Sequence, residues 1–388
     1  MTRQSPLPPI ELALIEDLSK VAAADWNSGV DPNDPFAEHA FLSLLEESSS
    51  VGKHAGWLPV HLVAKRMGSV VGAAPLYLKN NSYGEYIFDW GWAESAQRAG
   101  IPYYPKLVSA IPFTPATGRR LLTTNPEVAS ALIDGMHGVA NATGSQSIHI
   151  LFMTEAEQNQ VAHTTAWTPR TTHQFHWNND GYPDFDSWLQ RFRSRRRKEV
   201  KRERKIATES GAQIRMLRGT ELSEAHWEKL ADLYEDTTQR KHAMAYLSPE
   251  FFVLARERLA HTALAFVAEV DGRVVAASLC FQRGSHLYGR YWGCEPAYKA
   301  LHFELCYHAP IAACIQAGWT HFEAGAQGMH KLSRGLSPAR TFSAHHLRHP
   351  GLHKAVAGAL IEEGDRLDQE LRWLDNRTPF HRSPTSPR

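Results

Sequence analysis

Little in the sequence ties the chain to a compartment or a bulk partner. Cysteine is scarce: Cys280, Cys294, Cys306 and Cys314 are the only four, and none forms a CxxC pair. That excludes a disulfide framework, and the four read as small buried apolar side chains. The formal net charge is +1, so no overall field selects nucleic acid or a membrane surface. No apolar run approaches the ~20 residues that span a bilayer, and MTRQSPLPPIELALIEDL has no basic-then-apolar leader. A cytoplasmic protein is the expectation. There is no Gly-x-Ser-x-Gly and no Cys–His pair in a context for a covalent acyl intermediate. No metal is expected either. His173 and His176 fall on opposite faces of a strand, and His345, His346 and His349 lack companion ligands at metal spacing.

What is present is a globular composition, 43% hydrophobic and 21% charged, long enough for two domains. The chain also repeats itself. AFVAEVDGRVVAASLCF (Ala265–Phe281) follows the pattern of LVAKRMGSVVGAAPLYL (Leu62–Leu78). Met67-Gly68 and Asp271-Gly272 occupy the same place and read as hairpin turns, the second being the stronger type I′ signal. A third extended segment follows each hairpin: Tyr83–Trp90 in the first half, Leu287–Trp292 in the second. After a one-residue slip, Tyr83-Gly84-Glu85-Tyr86 meets Tyr288-Gly289-Arg290-Tyr291. A helix and a closing strand then complete each half. They are Pro126–Ala140 with Ser147–Phe152, and Ala300–Gln316 with Thr320–Ala324. Gly318 stops the second helix, and Pro310 kinks or shortens it. An earlier helix starts at Asp34-Pro35-Phe36. The same order written twice predicts a duplicated α/β architecture with mixed, twisted sheets.

Asn178–Pro183 is turn chemistry, which places the domains at residues 1–183 and 184–388. A basic helix, about 187–210, enters the second. From Arg191 to Lys205, ten of fifteen residues are Lys or Arg and two are Glu. Such a run suits nucleic-acid phosphates. It suits a solvated helix equally. Glu199 and Glu203 can pair along it, apolar positions such as Phe192, Val200 and Ile206 are few, and no stacking aromatics are interleaved.

Several blocks carry a family resemblance: DPFAEHAFLSLLEES, GWLPVHLVA, PLYLKNNSYGEYIFDWGWA, YYPKLVSAIPFTPATGRRLL, RRRKEVKRER, GRYWG, LHFELCYH and HFEAGAQGMHKLSRGLSPARTFSAHH. Spanning almost the whole chain, they resemble the FemAB-like branch of the GNAT (acyl-CoA N-acyltransferase) superfamily. They are similar to predicted bacterial N-acyltransferases of peptidoglycan-biosynthesis type. The resemblance implies tandem GNAT-like domains and transfer of an acyl group from a carrier to an amine. One departure is Met329, where the family pattern usually carries an acidic residue.

That chemistry sets requirements. The amine must lose a proton to a positioned base, the carbonyl oxygen needs a donor, and a phosphorylated carrier needs amides or cations. Glu85 and Asp89 share a face of the expected strand Tyr83–Trp90, where aromatic packing can hold their pKa values apart. The plainer reading is a solvated edge strand, or a buried ion pair with Lys106 or Arg119. Glu323 ends a strand on the edge where ligands gather, and Gly325 and Gly328 let backbone approach closely. Glu85 or Glu323 is therefore expected as base, with Tyr83 or Tyr291 as proton donor or orienter. Gln327, His330, Lys331 and Arg334, with Arg290 and Lys299, are expected to hold substrate or carrier. The usual GNAT phosphate loop is replaced by CEPAYKALHF, which has no glycine. That tilts the donor from acyl-CoA toward aminoacyl-tRNA, the carrier implied by the FemAB-like resemblance. The function expected is direct N-acyl transfer, acetyl or aminoacyl, to a small-molecule or peptide amine. The rival is a non-catalytic binding protein that docks RNA or a cell-wall precursor.

Overall fold

The computed structural model describes residues 8–163, 166–326 and 328–381. It divides into two compact units, Met1–Thr171 with Thr341–Gly364, and Thr172–Arg340 with Asp365–Arg388.

In the first unit, β1 (Glu11–Ile15) and β2 (Leu58–Pro59) precede the hairpin β3 (His61–Arg66) and β4 (Ser69–Ala74). Met67 and Gly68 have φ of 51° and 80°, the two left-handed residues of a type I′ turn. β1, β3 and β4 form a three-stranded antiparallel sheet. β5 (Tyr77–Lys79) pairs antiparallel with β2 and with β6 (Lys106–Ser109), and β6 runs parallel to β7 (Ser147–Met153). Phe342–Leu347 of the last strand lie antiparallel to β7. The expected helix at Asp34 begins later, as α1 (His39–Glu47). Asp34 Oδ1 instead accepts from the amides of Phe36 and Ala37. α2 (Trp90–Arg98) follows, then α3 (Pro126–Thr143), which crosses from β6 to β7. Leu132 and Met136 of α3 pack on Leu62, Leu107 and Ile148.

The Tyr83–Trp90 segment is not a strand. Gly84 and Tyr86 have φ of +79° and +61°, so the chain turns twice where alternation was expected. β6 takes the structural place assigned to it.

The second unit contains β8 (Thr168–Asn178), from Thr172 onward, then β9 (Gln213–Arg218) and the hairpin β10 (Ala263–Val270) and β11 (Arg273–Arg283). Asp271 and Gly272 repeat the turn geometry, with φ of 51° and 73°. β12 (His286–Cys294) and β13 (His321–Glu323) complete the order β8-β13-β12-β11-β10-β9. β12 and β13 are parallel and the rest antiparallel. The basic helix appears as Phe185–Gln190, then α4 (Ser194–Glu209). α5 (Glu224–Arg240) follows. The expected helix over Ala300–Gln316 is broken into a 3-10 turn Pro296–Leu301, a π turn Glu304–His308 and α6 (Ala309–Ala317). Pro310 stands in the first turn of α6, where its missing N–H costs nothing, and Gly318 closes it at φ +71°. Phe322 is fully buried among Leu264, Cys280, Leu305 and Ile311, worth about 1.5–3 kcal/mol. All four cysteines are free thiols.

β14 (Ser337–Leu347) and α7 (Pro350–Asp375) supply residues to both units. The units therefore do not part at residue 183/184. β8 belongs to the second from Thr172 because it pairs with β13, and Thr341–Leu347 belong to the first because they pair with β7. Each unit nevertheless contains a hairpin, a strand, a helix and a parallel strand in that order. No described helix is long and apolar enough to cross a membrane.

Candidate functional site

Among the described residues, the expected site residues fall into one cluster of ionisable side chains in each unit.

In the first, Lys79 ends β5 and Lys106 begins β6, directly opposite each other in register. The loop that leaves β5 folds back and sets Ser82, Glu85 and Asp89 over them. Lys106 Nζ donates to Ser82 Oγ at 2.7 Å, Glu85 Oε2 at 2.9 Å and Asp89 Oδ2 at 2.5 Å. Lys79 Nζ lies 3.7 Å from Glu85 Oε1, donates to the Tyr83 carbonyl at 3.1 Å and stands 3.6 Å from the Trp57 ring centroid. The four charged side chains are 0–3% exposed. Glu85 Oε1 and Asp89 Oδ1 are buried and accept no hydrogen bond among the described residues.

Burial outweighs the pull of Lys106 on Glu85 and lifts its carboxyl to about 7. Burial also pushes the Lys79 ammonium down to about 7, despite Glu85. Asp89 goes the other way: burial would raise it, but Lys106 holds it at about 2. Lys106 is raised, since Glu85 and Asp89 together overcome its burial. Two carboxylates a few residues apart are thus split, one fixed as an anion and one poised to titrate near neutrality.

This cluster backs onto a cavity of about 550 Å³ whose lining includes Trp90, Ile101, Tyr103 and Tyr104. The Tyr103 hydroxyl donates to Asp89 Oδ2 at 2.6 Å, and the Tyr104 hydroxyl lies 2.9 Å from Ser82 Oγ. The Tyr83 side chain is not part of this network. Its ring is half exposed and packs edge-on to Trp90. Arg119 is not the partner of the carboxylates; Lys106 is. Lys79, Ser82, Tyr103 and Tyr104 were missing from the expected site. The signal available was a lysine in each of two otherwise apolar strands, YLK and KLVS.

In the second unit, β12 and β13 pair over only three residues, after which β12 runs on to Cys294 paired with β11 but not with β13. Between Leu279 and Cys280 the register with β11 skips Arg290, a bulge at the point of parting. Gly325, at φ +75°, follows β13 there. Glu323 is buried, and although burial would raise it, His176 and His321 hold its carboxyl below the usual range. Lys331 is also buried, donates to the Gly325 carbonyl, and is pushed down to about 8 by burial. Tyr291 packs edge-on against Tyr234, and the Arg290 guanidinium stands 5.5 Å from the Tyr291 ring centroid.

Two of the remaining expected carrier contacts, Arg334 and His330, are committed internally. Arg334 donates to Glu203 Oε1 at 2.5 Å and to the His330 carbonyl at 2.8 Å, over the Phe303 ring. His330 Nε2 lies 2.8 Å from the Tyr307 hydroxyl. Lys299 falls in the 3-10 turn Pro296–Leu301, and Gln327 lies outside the described residues. Met329 is half exposed. The inner side of α4 is anchored by buried Val200 and Ala207, by Glu203 to His308 at 2.8 Å, and by Arg204 to Glu304 at 3.2 Å. Arg196 is occupied by Glu199 on the same helix. His345 lies Nδ1 to Nδ1 with His149 at 2.8 Å, in the core of the first unit.

Two solved structures share this mixed α/β fold over most of the chain. FemX is 14% identical, with 89% of this chain and 100% of FemX covered and a TM-score of 0.55. L-PGS from Bacillus licheniformis is 11% identical, with 84% and 95% covered and a TM-score of 0.50. A tandem GNAT protein from the clavulanic acid biosynthesis pathway aligns more loosely, at 11% identity, 88% and 99% coverage and a TM-score of 0.44. No curated protein sequence matches the chain. A sequence model described as peptidoglycan biosynthesis/recognition matches residues 17–382, so the chain belongs to the FemAB-like family.

Proposed function

We propose that the protein is an N-acyltransferase that moves an acetyl or aminoacyl group from acyl-CoA or aminoacyl-tRNA to an amine by direct attack. The observation that carries this reading is Glu85: a buried carboxylate near 7 with one oxygen that accepts no hydrogen bond. A general base works best with a pKa close to the working pH. Glu323 is held in the wrong direction for that role. The acceptor amine enters the aromatic-lined cavity, and its proton passes to Glu85 along the hydrogen-bonded chain Tyr104–Ser82–Lys106–Glu85, Lys106 taking a proton from Ser82 as it gives one to Glu85. Asp89 stays ionised and keeps Lys106 and Tyr103 in place.

A second reading sets the reaction in the second unit, at the parting of β12 and β13. Favouring it are the ammonium of Lys331, buried beside Gly325, and the backbone approach Gly325 permits.

The test is turnover by mass spectrometry with acetyl-CoA, longer acyl-CoAs and aminoacyl-tRNA against amine and peptide acceptors. Glu85→Gln is expected to lower kcat/KM by about 10²–10⁴-fold. Loss with Lys331→Met but not with Glu85→Gln selects the second reading. Carrier-induced stabilisation with no turnover under any pairing selects the non-catalytic binding protein.

A further inference from the structure

β8, β13 and β12 lie side by side, and their registers align side chains across one face. Asn178 is opposite His321, which is opposite His286. His176 is opposite Glu323, which is opposite Tyr288. Period-two geometry puts all six on the same side. His176, His321 and Glu323 converge there, each offering one ligand-capable atom, all within 4.8 Å of one another. His321 Nε2 lies 3.4 Å from Glu323 Oε1, and His176 Nε2 lies 3.9 Å from Glu323 Oε2 and 3.1 Å from Gln174 Oε1, a hydrogen bond that an ion on this nitrogen would replace. Donors bound to one tetrahedral ion at about 2.0–2.2 Å sit about 3.3–3.6 Å apart, the spacing of the His321–Glu323 pair, and His176 must draw in to reach it.

A second observation is the outer hydrogen bond. His321 Nδ1 lies 2.8 Å from Asn178 Oδ1. With Nδ1–H donating to that oxygen, the Nε2 lone pair faces the Glu323 carboxylate. Lone pair against carboxylate is repulsive, and a cation between the two, either a second ring proton on Nε2 or a metal ion, turns that repulsion into attraction. Fixing the imidazole tautomer through its other nitrogen is how metal-ligating histidines are held. The His286 and His321 ring centroids lie 4.7 Å apart.

We infer that His176, His321 and Glu323 form a site for a divalent transition-metal ion. Two imidazoles and one carboxylate suit Zn²⁺ and leave a coordination position open. Oxygen-seeking Mg²⁺ and Ca²⁺ are poorly matched to it. The ion clips the three-residue β13 to β8, independently of any role for Glu85. Sequence spacing pointed away from metal because His173 and His176 diverge. The partners of His176 come instead from a strand far along the chain.

The experiment uses tag-free full-length protein, stripped with a chelator and titrated with Zn²⁺ by calorimetry and with Co²⁺ by visible absorption. One equivalent is expected, with intense Co²⁺ bands of a four-coordinate site. His321→Ala, at a half-buried position, is expected to abolish that equivalent with the circular dichroism spectrum unchanged. Asn178→Ala is expected to weaken affinity about 10–100-fold while keeping the Co²⁺ bands. Failure of the wild type to bind either ion overturns the site. So does an equivalent that survives in His321→Ala, which would place it among the other histidines. Acyl transfer plays no part in these readouts, so their outcome is separate from that of the Glu85 assignment.

Discussion

Lys106→Met removes the cation that donates to both carboxylates of the first unit's buried cluster, Glu85 and Asp89. Three hydrogen bonds disappear, at 2.5, 2.7 and 2.9 Å. Asp89 alone, held at about 2 against an ordinary 3.8, contributes about 2 kcal/mol at pH 7. Its depressed value means the contribution is present above 3.8 and is lost only as pH falls toward 2. Without Lys106, both carboxylates are buried with too little compensation, a fault that costs about 3–5 kcal/mol. That is a large part of the 5–15 kcal/mol typical of a folded domain. The assay is native-state hydrogen exchange of peptides across 77–109, where opening free energies should fall by that amount at pH 7. At pH 5 the loss should be smaller, because the orphaned carboxyls then take up protons in the folded state. Adding Glu85→Gln and Asp89→Asn to Lys106→Met should recover most of it. A loss under about 1 kcal/mol, the size of an exposed ion pair, would refute this account of the cluster.

Three further outcomes are expected. The kcat/KM of the wild type should rise with pH through about 7, as Glu85 loses its proton, and Glu85→Gln should flatten that limb. Gly293→Ala should destabilise the second unit by about 1–3 kcal/mol in urea unfolding, because a Cβ there would stand 2.4 Å from the Leu233 carbonyl oxygen of α5. Reversing Arg195 and Lys198 to Glu should leave thermal stability within about 0.5 kcal/mol, since both lie on the exposed side of α4. If tRNA is the carrier and α4 its contact, the same variant should flatten the salt dependence of tRNA binding, measured by filter retention.

The repeat was legible because its hairpins are local. Met67-Gly68 and Asp271-Gly272 carry their turn type in two adjacent residues, and alternation around them does the rest. Tyr83–Trp90 misled for the same reason in reverse. Tyr, Ile, Phe and Trp give it the composition of a strand, while positive φ at Gly84 and Tyr86 turns it into a loop. Glu85 and Asp89 stood out as carboxylates among aromatics. Their real partners did not, because Lys79 and Lys106 meet only through the β5–β6 register. His176 and Glu323 were singled out separately, and nothing in their spacing announces that β8 and β13 place them opposite each other. Composition and short-range pattern reveal elements, whereas cross-strand neighbours depend on long-range pairing.

The way β14 returns to β7 has a consequence for how the protein is made. Ser147–Met153 leave the ribosome long before Thr341–Leu347 exist, so the first unit waits through the whole synthesis of the second with one strand flank unsatisfied. A chain stopped before Thr341 would keep that open flank permanently, an invitation to intermolecular strand addition. Splitting the gene at the apparent midpoint should accordingly yield an aggregating N-terminal piece, whereas supplying the late segment in trans should rescue it.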